Sequence, residues 1–441
     1  MLRTIDDEAT IVVGAGLAGL VTAWRLQEAG MPAVVLEGSD RIGGRTMTSR
    51  EGWVDGQFAN YGGELVFPAF HALRAVCEEL GVELSPPNVI AEPEPDDLTV
   101  VEGMVRAGSF IHQGTLVDRR DLIASAARIR AAVEAHPPAP HEIVEQWVRR
   151  AGLDGVDRTA FRGVARMLTC QDTWDHDVHY LIGPAMTDIR RISGGTQSLA
   201  DRLAMDLDVR LGHEVVRIRR GDGVEVETSD GRAFHGARVV VATNPYALST
   251  IGFDPPLEEA KTSTVLSLLP AMGGKVAAQY AEGDAVREAL NAIVYTDDEI
   301  CAAWTCWPDA PAGPAVVIGF LAGVHRHVLA DEGEAMRLLD DLVATAVGHP
   351  VTRLHGDVHS WWADPRFMSI TVNPSEHSRP RIAAVMSGVE RDTHIAGDYT
   401  SEQLFGTLEG AVRSGIRTAD EILRAPTRFS ADDIEERLTS R

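Results

Sequence analysis

Thr10-Ile11-Val12-Val13-Gly14-Ala15-Gly16-Leu17-Ala18-Gly19 forms the first patterned stretch of the chain, and Ala33-Val34-Val35-Leu36-Glu37 follows it. Thr10 to Val13 is short, apolar and β-branched, and reads as a strand. Leu20 to Ala29 reads as a helix and Ala33 to Leu36 as a second strand. Strand, glycine turn, helix and strand within about thirty residues open a dinucleotide-binding α/β sheet. The G-x-G-x-x-G spacing gives each glycine a task. Gly14 permits the tight turn, Gly16 lets backbone approach a pyrophosphate, and Gly19 lets the helix pack close to the strand. The free N–H groups at the helix start then meet phosphate oxygens. Glu37 ends the second strand, where a carboxylate accepts hydrogen bonds from both ribose hydroxyls. It would repel a 2′-phosphate, which argues against NADP.

Further along, Phe70 to Leu80 reads as a helix stopped by Gly81. Pro86 to Asp97, rich in proline and acid, reads as a crossing into a second domain. Asp121 to Ala135, Glu142 to Ala151 and Thr159 to Leu168 are helical. After a helix at Ser198 to Met205, short strands around Val209, Val215 to Ile218, Val224 to Thr228 and Val239 to Ala242 return to the nucleotide domain. Lys275 to Tyr280 and Ala315 to Leu321 are strand-like, and Glu332 to Thr345 is helical. His394 to Gly397 runs into a turn, and Leu408 to Leu423 is a last amphipathic helix. Both expected domains are discontinuous. Residues 1–85, 190–262 and 388–441 bind the nucleotide, and residues 86–189 and 263–387 bind substrate.

Charge narrows the partners. Lys+Arg is 41 and Asp+Glu is 65, a formal net charge of −24. Such a surface repels nucleic acid and anionic membranes, so neither is expected. No apolar run reaches the ~18 residues of a membrane span. Met1 to Thr10 lacks a signal-type apolar core, and the tail from Thr427 to Arg441 is charged. Cys77, Cys170, Cys301 and Cys306 show no paired metal spacing. No metal site is expected, and the count fits a reducing compartment. The reading is a cytoplasmic protein, with a homodimer left open.

Glu37-Gly38-Ser39-Asp40-Arg41-Ile42-Gly43-Gly44-Arg45 carries two more glycines and an arginine beyond the acid. It resembles the E-x-x-x-R-x-G-G-R run of the flavin-containing amine oxidase family. Five further segments match that family in order. They are Tyr61-Gly62-Gly63-Glu64, Ser193-Gly194-Gly195-Thr196-Gln197, Phe253-Asp254-Pro255-Pro256-Leu257, Trp362-Ala363-Asp364-Pro365, and Ala396-Gly397-Asp398-Tyr399-Thr400 with Leu408-Glu409-Gly410-Ala411-Val412. The resemblance implies a two-domain α/β fold, a Rossmann-type FAD domain with an α+β substrate domain. It also implies FAD as cofactor. Arg45 and Gly44 would sit at the phosphate side, and Gly62, Gly63 and Glu64 beside the flavin ring. Gly397 would lie beside Asp398, which binds a flavin-side hydroxyl or positions a phosphate-bound water, and Thr407 and Leu408 would lie at the helix start facing the pyrimidine. Val215 would also line the cofactor. A helix starting near Thr407 aims its dipole at the ring and favours negative charge there. Lys275 matches the family lysine that holds a water near flavin N5, and Trp362 the indole beside it.

The resemblance also implies the reaction. Hydride leaves the carbon next to nitrogen, an imine forms, and O2 is reduced to H2O2. Three departures matter, one for the cofactor and two for the substrate. No cysteine follows Cys306, so FAD is expected to be noncovalent. Thr407 stands where monoamine oxidases carry a cage tyrosine. Glu64-Leu65-Val66 follows the glycines, where amino-acid oxidases carry an arginine for the substrate carboxylate. Within the family the chain resembles enzymes of polyketide antibiotic biosynthesis, which implies oxidation of an amide C–N bond followed by Mannich ring closure. Glu64 is then the candidate base and Arg326 the cation for an enolate or lactone oxygen. A conventional amine or polyamine oxidase, giving aldehyde, ammonia and H2O2, is the alternative. A carotenoid-type desaturase and a non-catalytic flavoprotein are weaker ones, since Lys275 and the glycine set are intact.

Overall fold

In the computed structural model, the strands Thr10–Val13 and Ala33–Leu36 lie where their sequence places them, and the helix between them runs Leu17–Glu28. The structure describes residues 8–87, 98–182, 188–290, 293–307, 312–375 and 377–424. Most of the proline-rich crossing from Pro86 to Asp97, the first seven residues and the tail from Thr427 lie outside the described residues.

The nucleotide fold is a five-stranded sheet with every neighbour parallel. Its order is Thr393–Ile395, Arg238–Val241, Thr10–Val13, Ala33–Leu36 and Asp208–Arg210. The two central strands carry Ile11, Val12, Val34 and Val35 with almost no exposure, as a sheet covered on both faces requires. On one face the helix Leu17–Glu28 meets the last helix, Leu408–Arg424, through Leu20, Val21, Val412 and Ala419. They cross closely: a Cβ on Gly415 would stand 2.6 Å from the Ala18 carbonyl oxygen. A four-stranded sheet, ordered Ala233–Gly236, Gly223–Thr228, Val215–Gly221 and Gly252–Asp254, covers the other face.

The second large sheet has seven strands, ordered Arg353–Ser360, Gly273–Tyr280, Ala315–Ala322, Ala302–Thr305, Val294–Thr296, Ser109–His112 and Thr115–Leu116. The strand Gly273–Tyr280 is buried along its whole length. The helices Arg119–Ala135, Val144–Arg150 and Gly155–Thr169 cover one face, packing Ile129, Trp147 and Phe161 against Phe110 and Tyr295. The sequence reading missed the helix Val100–Ala107. Its start carries a readable signal, a capping box in which Thr99 and Glu102 exchange hydrogen bonds.

One expected boundary moves. Val265, Leu268, Val372, Ile382 and Met386 fall inside the span 263–387 assigned to the substrate domain. They pack instead with Ile11, Val239 and Ile395 on the nucleotide side. Val265 lies on the helix Glu259–Ser267, Ile382 and Met386 on the helix Arg379–Ser387, and Val372 on the strand Thr371–Val372. These elements join the four-stranded sheet over that face.

Candidate active site

A cavity of about 580 Å³ runs from the glycine turn to the buried strand Gly273–Tyr280. Gly14, Gly16, Glu37, Gly44, Arg45, Gly62, Gly63, Val215, Gly397, Asp398, Thr407 and Leu408 all line it. Gly19 lies behind the wall, where a Cβ would stand 2.1 Å from the Gly14 carbonyl oxygen. Gly14 has φ +103°, a left-handed conformation that costs glycine little. A Cβ on Gly16 would meet nothing within 4 Å, so this edge opens into the cavity at the helix N-terminus. That is the space a pyrophosphate needs.

Glu37 holds the turn in shape. One carboxylate oxygen accepts the Ala15 N–H at 2.7 Å, and the other accepts the Ser39 N–H and hydroxyl, both at 2.8 Å. Further along, Arg45 donates to Asp398 at 2.9 Å and to the Ile370 carbonyl at 3.0 Å. Thr407 accepts the Gly410 N–H at 3.2 Å and so caps the last helix at the cavity wall. These glycines, the turn and the two carboxylates fit FAD: Gly16 would face its phosphates and Glu37 would hold a ribose.

At the far end stand Glu64, Lys275, Trp304, Phe320, Trp361, Met167 and Cys170. Glu64 is 4% exposed. Arg191 Nε donates to its Oε1 at 2.8 Å, and Lys275 Nζ lies 3.4 Å from Oε2. The Trp304 indole N–H reaches both oxygens, at 3.2 and 3.1 Å. The Glu64 carboxylate is therefore ringed by donors. Lys275 also donates to the carbonyls of Asn60 at 2.9 Å and Gly62 at 2.8 Å. Its ammonium group thus has three protein acceptors within 3.4 Å, which fix its charge at the cavity wall. Burial raises the Tyr61 hydroxyl well above its ordinary range and pushes the Cys170 thiol up to about 12. Both stay neutral, and neither competes with Glu64 as a base.

Two expected site residues lie elsewhere. Trp361, not Trp362, lines the cavity. Asp364 and Pro365 count back to Trp361 in a W-x-x-D-P spacing, so Trp362 was one residue out of register. Packing gives the physical reason. The strand ends at Ser360, and Trp361, in the turn beyond it, is buried edge-on to the His359 ring, centroids 4.2 Å apart. Trp362 is half-buried, and the Arg326 guanidinium covers its ring at 5.5 Å. Arg326 donates to its own turn, at the Gly323 carbonyl, 2.7 Å away. It is absent from the cavity lining, because the short helical turn after the strand Ala315–Ala322 carries it outward.

Sequence reasoning also missed Arg191 and Trp304. Arg191 stands two residues before the run that opens at Ser193, but its partner Glu64 is 127 residues away. Trp304 belongs to a four-residue strand too short to show a period. Glu409 is a third. Fully buried, it accepts the N–H groups of Ala72 and Leu73 at 2.9 and 2.8 Å and so caps the helix His71–Leu80.

Residues 17–423 match the model of the flavin-containing amine oxidoreductases. The chain belongs to the flavin-containing amine oxidase family. It is 24% identical to pig amine oxidase B over 468 residues, 96% of this chain and 88% of that protein. It is 26% identical to a putative flavin-containing monoamine oxidase of Mycobacterium tuberculosis over 457 residues, 95% of this chain and 96% of that one. Its fold is similar to that of cyclohexylamine oxidase from Brevibacterium oxydans, with a TM-score of 0.74 at 19% identity, covering 95% of this chain and all of the other. A putrescine oxidase structure gives 0.72 at 18% identity, covering 96% and 100%. The protein is thus an FAD-dependent oxidoreductase acting on C–N bonds. Among the described residues, no group of side chains could hold a metal ion, and no helix is long and apolar enough to cross a membrane.

Proposed function

We propose that this amine oxidase acts on an amide C–N bond of a large polyketide-derived molecule of the lankacidin type and then closes it into a macrocycle. The observation that carries the reading is Glu64, a buried carboxylate held in place at the inner end of the cavity, where simple amine oxidation requires no side-chain base. Bound FAD supplies the hydride acceptor and passes the electron pair to O2, giving H2O2. Loss of hydride from carbon and of the proton from nitrogen leaves an N-acyl imine, a strong electrophile. Glu64 then takes a proton from a carbon between two carbonyls of the same molecule. The enolate carbon attacks the imine carbon, and the nitrogen regains a proton. The walls hold both ends together and exclude water that would hydrolyse the imine. Lys275, which lines the cavity, rather than Arg326, offers positive charge near a developing enolate.

The test gives Glu64→Gln and the wild type a linear amide carrying a β-dicarbonyl. Flavin reduction should persist in part in the variant while macrocycle falls at least about tenfold and linear oxidised product accumulates. Full macrocycle formation by the variant removes Glu64 from the mechanism. A wild type that ignores every linear amide but oxidises simple amines is a conventional amine oxidase.

A further inference from the structure

A bare carboxylate at the inner end of the cavity would attract protonated amines. Glu64 is not bare. Its oxygens are shared between Arg191, Lys275 and the Trp304 indole, and among the described residues no other charged side chain bonds to it. Two cations against one anion leave the cluster with a net charge of +1. The chain as a whole is strongly acidic, so the sign at the reacting end is opposite to that of the surface.

We infer that Arg191 is a specificity-determining residue: by capping Glu64 it turns an amine-attracting wall into one that admits an uncharged nitrogen. This rests on the reading of the substrate as an amide. Arg191 is absent from the cavity lining, so it acts through Glu64 and need not touch substrate. It is 8% exposed. Its backbone is fixed by exchange with Ser85, whose N–H donates to the Arg191 carbonyl at 2.8 Å and whose hydroxyl accepts the Arg191 N–H at 3.0 Å. Next to it, Arg190 and Val66 pair as an antiparallel bridge. The segment returning from the substrate side therefore runs beside the segment that carries Glu64 and delivers the guanidinium to it. Lys275 cannot trade roles with Arg191, because the carbonyls of Asn60 and Gly62 hold it.

The experiment titrates holoenzyme with benzylamine, a cation at neutral pH, and with benzamide, which is neutral, following the visible spectrum of bound flavin. Arg191→Gln lowers the cluster to zero and should tighten benzylamine about tenfold while moving benzamide by less than about twofold, the scale of one charge at several ångströms in a partly screened site. Glu64→Gln raises the cluster to +2 and should weaken benzylamine. Arg191→Lys should behave as wild type. The double variant, Glu64→Gln with Arg191→Gln, restores +1 and should return benzylamine affinity toward the wild-type value. A merely structural role would shift both ligands together and give no such order. Equal changes for the two ligands, or unchanged benzylamine binding in Arg191→Gln, overturn the inference. Binding is read anaerobically from the rapid spectral change that precedes any flavin reduction, so a wild type that fails to oxidise amides would remove the substrate reading and leave this result standing or falling by itself.

Discussion

The Trp361 indole N–H donates to the Tyr61 carbonyl oxygen at 2.8 Å, across 300 residues of sequence. Lys275 takes the carbonyls on either side of it, Asn60 and Gly62. Three consecutive carbonyls of the segment leading to Glu64 are thus held by two side chains from the seven-stranded sheet side. The loop beside the flavin site is positioned by the opposite half of the molecule.

Replacing Lys275 tests both its charge and its grip. Lys275→Met should slow reoxidation by O2 by about tenfold or more, because it removes positive charge needed when oxygen becomes anionic. Flavin reduction should fall less, by the loosening of the Asn60–Gly62 segment. Stopped-flow measurement of the two half-reactions separates these effects. Equal loss in both would leave only the clamp.

The two adjacent tryptophans should differ. Trp361→Phe removes the N–H that reaches Tyr61 and leaves a buried carbonyl short of a donor, a loss of about 1–3 kcal/mol. It should also shift the visible flavin spectrum. Trp362→Phe and Arg326→Ala should leave spectrum and reduction rate near wild type, since both side chains stand outside the cavity lining. A strong catalytic defect in Arg326→Ala would bring that residue back to the site.

Glu37→Ala should weaken FAD by roughly 1.5–3 kcal/mol, the scale of charge-assisted hydrogen bonds. Acid precipitation of the holoenzyme should leave a colourless pellet and a yellow supernatant. Flavin retained by the denatured pellet would show a covalent link.

His359 predicts an acid-sensitive fold. Its ring stands edge-on to Trp361, centroids 4.2 Å apart. Burial first, and then the Arg41 charge, lower its pKa from 6.5 to about 4. The unfolded chain gains this proton near pH 6.5 and the folded chain only near 4. The stability from neutral His359 is therefore complete above the higher value and declines through that window, by roughly 3 kcal/mol at most. Urea midpoints measured across the window should fall in the wild type and fall less in His359→Phe. Parallel curves would assign the loss to other groups.

The nucleotide end was legible because its signals are local. A glycine turn and an acid close to it in sequence place Gly14, Gly16 and Glu37 without knowledge of the rest. The substrate end is built from contacts between distant segments. Arg353–Ser360 reads as polar and irregular, since it edges its sheet and is nowhere fully buried, so no alternation announced it. With that strand unread, nothing fixed which of Trp361 and Trp362 faces inward. Glu64 was found by its motif, but the donors around it come from residues 191, 275 and 304.

The central strand of the parallel sheet, Thr10–Val13, is translated long before Thr393–Ile395, which completes its sheet, and Leu408–Arg424, a helix that covers it. Glu409 then reaches back to fasten the start of the helix His71–Leu80. A ribosome still short of these last segments holds a glycine turn with no finished floor and a strand pair lacking its outer neighbour. The nucleotide half cannot close before these segments are made, however early its signature is translated. FAD capture therefore waits for Leu408–Arg424, and the apolar faces of Ile11 and Val34 are open to other chains until it has folded.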